Sequence, residues 1–161
     1  MKNLISRSHA SALRARLKSR SKQIVFTNGV FDILHRGHVD YLAKAKSDGD
    51  FLIVGLNSDA GVRRIKGKSR PLQNQADRAA ILLALKSVDY VVIFSEDTPD
   101  KLIRAIKPDV LVKGADYRES EIVGAAFVKS YGGEVRRVRL TQGRSTSSII
   151  RKLGPTSVLP S

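Results

Sequence analysis

Thr27-Asn28-Gly29-Val30-Phe31-Asp32-Ile33-Leu34-His35-Arg36-Gly37-His38 is the stretch whose reading decides the fold. It follows Ile24-Val25-Phe26-Thr27, a short run of β-branched and aromatic residues that reads as a buried first strand. Asn28-Gly29 stands at that strand's carboxyl end, where glycine permits a sharp turn and close approach to a ligand. Val39 to Ser47 then carries helical periodicity. Strand, tight turn and helix in that order are the opening of a βα unit. His35 and His38 lie three apart at the start of the helix, so both imidazoles point the same way. Gly37 leaves room between them, and the free N–H groups of a helix start attract anions. Together these features make a cradle for a phosphate that gains negative charge.

The same alternation continues outward. Phe51 to Leu56, Tyr90 to Phe94, Val110 to Val112 and Val135 to Leu140 read as four further strands. The second and third are nearly continuous in Val, Ile and Leu, as expected for strands buried on both faces. Asn74 to Ser87, Pro99 to Lys107, Glu121 to Tyr131 and Ser145 to Leu153 read as helices, the third ending at Gly132-Gly133. Strands alternating with helices predict an α/β fold, a Rossmann-like doubly wound parallel five-stranded sheet. Ligands of such sheets bind beyond the carboxyl ends of the strands, where the strand order reverses. Asn57 to Gln75 is long, polar and basic, and reads as a mobile loop over an anionic ligand.

Length and composition bound the rest. The 161 residues suffice for one domain, with 42% hydrophobic and 27% charged residues. The reading divides them into a basic N-terminal helix or extension (1–22), a main domain (23–153) and a loose tail (154–161). No run of eighteen apolar residues is present, so no membrane contact is expected. There is no cysteine, which excludes thiolate chemistry and fits a reducing, cytoplasmic compartment. The net charge is +14, and residues 1–22 contribute Lys2, Arg7, Arg14, Arg16, Lys18, Arg20 and Lys22 without an acid. A nucleic-acid face, a site for anionic small molecules and a plain solvated surface all accommodate that charge. The aromatic content of 6% and the lack of a stacking motif weigh against nucleic acid. The Arg- and Ser-rich start also has the composition of a transit peptide. Leu13 and Leu17 on one helical face, running directly into the first strand, favour a helix of the mature chain.

Several chemistries are excluded at the motif. His35 and His38 have no intervening Glu and no evident third ligand, which speaks against a metal site. The glycine spacing fits neither a Walker loop nor the dinucleotide fingerprint.

Gly29 to His38, with its His-x-Gly-His, resembles the signature of the cytidylyltransferase-like nucleotidyltransferases. The resemblance extends over Ile24 to Leu153. Within that family it is nearest to the heptose 1-phosphate adenylyltransferases, through Val54 to Asp59, Lys66 to Pro71, Asp77-Arg78, Val112 to Tyr117 and Ser145 to Ser147. These segments leave no kinase domain in the chain, so it resembles a stand-alone form. The resemblance implies ATP as co-substrate, Mg²⁺, a heptose 1-phosphate acceptor and a homodimer. It implies that His35, His38 and Lys66 act on the reacting phosphates. Thr27, Asn28, Gly29, Val30, Phe31, Gly37, Lys113, Gly114, Asp116, Ser145, Thr146 and Ser147 would hold the nucleotide. Asp32, Asn57, Asp59, Arg70 and Arg78 would line the acceptor's pocket. Asp32 could equally orient a histidine, help hold Mg²⁺ or cap the helix. One departure stands out. Related cytidylyltransferases carry Arg-Thr-Glu-Gly-Ile-Ser-Thr, where this chain has Leu140-Thr141-Gln142-Gly143-Arg144-Ser145-Thr146. This argues against the glycerol-phosphate branch, and Arg144 is the candidate to supply the missing cation.

Overall fold

The computed structural model describes residues 3–139. Its central strand is β1 (Ile24–Gly29), whose first four residues are buried on both faces. β2 (Phe51–Asn57) and β3 (Tyr90–Phe94) lie on one side of it, β4 (Val110–Gly114) and β5 (Glu134–Val138) on the other. The order is β3-β2-β1-β4-β5 and every pairing is parallel. The chain therefore winds outward from β1 to β3, crosses back and winds outward again through β4. The reversal lies between β1 and β4, and their carboxyl ends diverge there into a crevice.

Helices cover both faces. α2 (Arg36–Ser47) and α4 (Gln75–Ala84) pack on one side through Tyr41, Leu42, Ala45, Ala79 and Leu82, against Val25, Leu52 and Val54. α1 (Arg7–Lys18), α5 (Asp100–Ile106) and α6 (Ala125–Ser130) cover the other side, meeting Ile24, Phe26, Ile53 and Leu111. Alternate residues of each strand feed alternate cores, which is the strand period of two put to use on both faces.

Three expectations are sharpened. The basic N-terminal segment is part of the domain. Ser6 caps α1, Ala10, Leu13 and Leu17 are buried in the core, and Leu4 bridges β3 at Val91. The stretch expected as a mobile loop contains α3 (Asp59–Lys66), capped by Ser58, whose hydroxyl accepts from the Gly61 amide. The helix expected over Glu121 to Tyr131 is split into a 3₁₀ turn (Glu119–Glu121) and α6. Gly124 breaks it with φ +84, and a Cβ there would come within 2.8 Å of Ile103. The helix expected from Ser145 and the tail 154–161 lie outside the described residues.

A partly buried ion pair fixes α1 to the sheet. Arg14 donates twice to Asp109, at 2.8 Å each. The same carboxylate accepts from the Ile24 amide at 2.8 Å, so it ties α1, β1 and the approach to β4 together. Asp109→Ala leaves a largely buried guanidinium unpaired and should cost about 2–3 kcal/mol. At this chain length that lowers Tm by roughly 4–12 °C, read in a thermal melt. A Tm within a degree of the parent would remove this pair from the fold's supports.

Candidate active site

The loop after β1 turns under two constraints. Phe31 sits in the left-handed region at φ +46, a conformation that costs a side chain energy and needs outside support. Arg78 of α4 supplies it. That guanidinium is 1% exposed and donates to the Val30 carbonyl at 2.6 Å, the Gln73 carbonyl at 3.0 Å and Asp59 at 2.6 Å. Arg78 and Asp59, expected to face the acceptor, instead hold each other and the loop. Every donor group of the guanidinium is turned to protein, because a buried charge needs partners on all sides.

Asp32 is likewise committed. Burial opposes its ionisation, but the Gln73 and Leu72 amides and Arg70 outweigh this and hold the carboxyl below its usual range. The amides lie at 3.0 and 2.9 Å and the Arg70 Nε at 2.7 Å. Asp32 therefore clasps segment 70–73 across the mouth of the crevice. Thr27, expected at the nucleotide, is fully buried and shares a 2.7 Å hydrogen bond with Tyr41, beneath the crevice.

His35 is the N-cap residue of α2 and His38 lies in its first turn. Their rings stack at 3.9 Å between centroids with 25° between planes, and Phe31 meets His38 edge-on at 5.2 Å. Burial, reinforced by the neighbouring His35 and opposed by the Ile33 backbone, pushes the His38 imidazole down to about 4. At neutral pH it is an uncharged ring that offers an N–H.

The crevice opens from this wall into two lobes. One, of about 410 Å³, lies toward β2 and is lined by Asp32, Asn57, Ile65, Arg70, Asp97 and Pro99. The other, of about 350 Å³, lies toward β4 and is lined by Tyr41, Gly114 and Asp116. Asn28, Gly29, Val30, Phe31, His38, Lys66, Lys113 and Tyr117 belong to both. The structure thus brings together most of the residues singled out in the sequence, with Gly37 buried in the first turn of α2. Tyr41, Tyr117, Ile65, Asp97 and Pro99 were not among the expected site residues. The last two follow β3 at its carboxyl end, so the reversal rule applied to that strand would have found them. Ser145, Thr146 and Ser147 lie outside the described residues. A cleft of about 450 Å³ elsewhere, between α5 and α6, is lined by Arg104, Glu119 and Lys129. These already form ion pairs, Arg104 with Asp100 and Lys129 with Glu119.

Lys113, next to last in β4, lies between the lobes. Burial pushes its ammonium down to about 8, against the opposing pull of Asp116. The described residues contain no cluster of three or more His, Cys, Asp or Glu side chains, and the Asp32 carboxylate is filled. The donor set does not fit a protein-held Mg²⁺.

Residues 26–153 match the cytidylyltransferase-like family. The chain belongs to that family. The cytidylyltransferase-like fold recurs in the lipopolysaccharide core biosynthesis protein from Thermoplasma volcanium, 33% identical. The TM-score is 0.62, over 76% of this chain and 99% of that one. Pantoate-beta-alanine ligase from Francisella tularensis, 21% identical, shares the fold at a TM-score of 0.61 over 89% of this chain and 69% of that one. Among curated relatives, the bifunctional protein HldE of Wolinella succinogenes is 55% identical over 150 residues, 93% of this chain and 31% of that protein. The protein of the same name from Geobacter metallireducens is 61% identical over 136 residues, 84% of this chain and 28% of that protein. The chain spans about a third of the length of these curated relatives.

Lys113 carries its charge below its pKa and loses it above. Anion binding in the crevice should therefore hold through neutral pH and weaken as pH rises through about 8. Nucleotide titrations between pH 6 and 10 should show this alkaline limb in the parent and not in Lys113→Met. A limb of the same height and midpoint in the variant would assign it to another group.

Proposed function

We propose that the chain transfers AMP from ATP to D-glycero-β-D-manno-heptose 1-phosphate, giving ADP-heptose and pyrophosphate for the lipopolysaccharide inner core. The observation that carries nucleotidyl transfer is the His38 imidazole, which lines both lobes and stacks on His35 at the start of α2. Two substrates seated in two lobes meet there. The heptose and the adenine rest on the Val54 to Asp59, Lys66 to Pro71 and Val112 to Tyr117 segments. The identity to bifunctional HldE proteins supports them.

The nucleotide occupies the β4 lobe, its ribose and base near Gly114 and Asp116 and its phosphates against the backbone of Gly29, Val30 and Phe31. The acceptor occupies the β2 lobe near Asn57 and Arg70. An oxygen of the acceptor's phosphate attacks the α-phosphorus, a new P–O bond forms, and the bond to the bridging oxygen of the pyrophosphate breaks. No covalent intermediate with the enzyme arises, so catalysis is positioning and charge stabilisation. His35 and His38 donate hydrogen bonds to the α-phosphate as its charge grows. Lys66, exposed at the rim of both lobes, and Lys113 balance the departing pyrophosphate. Ser145, Thr146 and Ser147, outside the described residues, would add phosphate contacts. Mg²⁺, bound to the nucleotide and not to a protein-held site, would offset the charge of the triphosphate. The partners are these small molecules, with no nucleic acid and no membrane. The family resemblance implies a homodimer. No helix of the described residues is long and apolar enough to cross a membrane, in keeping with a cytoplasmic enzyme.

Pyrophosphate release, screened with ATP, CTP and GTP against several sugar 1-phosphates, tests the reading. ATP with the heptose phosphate should be the productive pair, and activity confined to CTP would overturn the adenylyl assignment. His38→Ala should lower kcat about 10²–10³-fold with an unchanged circular dichroism spectrum. Near-parental turnover would dismiss the phosphate cradle.

A further inference from the structure

Asn28 is the next-to-last residue of β1. Thr27 before it faces α2 through its bond to Tyr41. Successive strand residues alternate, so Asn28 leaves the sheet on the opposite face, toward α5. Its register partner on β2 is Gly55. A Cβ at Gly55 would come within 3.1 Å of the Asn28 Cβ and 3.2 Å of Leu102, so the glycine clears the floor beside the amide. Two residues further along β2, on the same face, is Asn57. Asp97 and Pro99 follow β3 on that side and line the same lobe.

The Asn28 Oδ1 is buried and has no hydrogen-bond donor among the described residues. Buried acceptors are nearly always satisfied, and a bare one in a crevice points to a donor brought by a ligand. The oxygen only accepts. A phosphate oxygen also accepts, so a phosphate cannot fill this position. The complementary group is a hydrogen-bond donor, which a sugar supplies as an O–H. Cations for the anionic parts of the substrates stand elsewhere, at Lys66, Arg70 and Lys113.

We propose that Asn28 is a specificity-determining residue whose side-chain oxygen accepts a hydrogen bond from a hydroxyl of the phosphorylated acceptor, so that the β2 lobe selects a polyhydroxylated phosphate over a plain alkyl phosphate. This rests on the nucleotidyl-transfer reading and deepens it. A site built around such a bond rejects an analogue lacking the hydroxyl, because its own buried oxygen is then left bare.

The test uses steady-state kinetics of the parent and Asn28→Ala. The substrates are the best sugar 1-phosphate from the pyrophosphate screen, each of its mono-deoxy analogues, ATP, and 2′- and 3′-deoxy-ATP. In the parent, removing one particular acceptor hydroxyl should lower kcat/KM roughly tenfold, the worth of one neutral hydrogen bond. Asn28→Ala should show the same loss with the intact acceptor and no further loss with that analogue, while KM for ATP stays unchanged. Equal losses on every acceptor would mark a structural residue, and coupling to a deoxy-ATP would move the contact to the ribose. Either result overturns the proposal. A parent insensitive to every acceptor deoxygenation overturns it without any variant, and leaves nucleotidyl transfer standing. No pyrophosphate from any pair of substrates sinks both.

Discussion

The Arg78 guanidinium is the point on which the crevice depends. It reaches three segments that are remote in the chain: the Val30 carbonyl after β1, Asp59 at the start of α3 and Gln73 ahead of α4. A cation in the interior is tolerated only when its donors are fully engaged. Here that requirement fixes where all three segments lie. The Val30 contact matters most, because the next residue is Phe31, whose left-handed backbone has no local reason to persist. Once Phe31 is held there, its ring packs edge-on to His38, which stacks on His35 and lines both lobes.

Asp32 repeats the device one turn away. Its carboxylate draws in Arg70 and the amides of Leu72 and Gln73, closing the segment after α3 over the crevice. The two buried pairs, Arg78 with Asp59 and Arg70 with Asp32, therefore fasten the same stretch from both ends. Of the basic residues between Asn57 and Gln75, only part remains for an anion. Arg70 is half engaged and Arg64 is paired with Asp97, while Lys66 stands at the rim of both lobes.

The pattern of legibility follows from the physics. Strands buried on both faces announce themselves as continuous apolar runs, and all five are recovered with shifts of at most two residues at their ends. β5 is least secure because an edge strand carries Glu134, Arg136 and Arg137 with only alternate apolar positions. α3 hides because Asp-Ala-Gly-Val-Arg-Arg-Ile-Lys gives only Val62 and Ile65 as a periodic signal. Its stability comes from the Ser58 cap and the burial of Val62. The split before α6 is a tertiary effect, since Gly124 is pressed against Ile103 of another helix. In the site, the motif around His35 and His38 is local and readable. The destinations of Arg78, Asp59, Asp32 and Thr27 are not, because each is decided by a partner far along the chain. Their residue types suit a phosphate pocket and a buried brace equally well.

This division also explains why the crevice combines neutral and charged donors. Lys66, Lys113 and Arg70 attract anions whether or not reaction is under way, so they serve binding. An uncharged imidazole gains less from a ground-state phosphate and more from one acquiring charge, which directs its energy to the transition state. Burial, reinforced by the charge of the neighbouring His35, keeps His38 uncharged at neutral pH. The same left-handed turn that Arg78 supports thus sets Phe31 against His38 on the wall of the crevice. That contact is a consequence of the backbone path, and the backbone path is a consequence of one buried arginine.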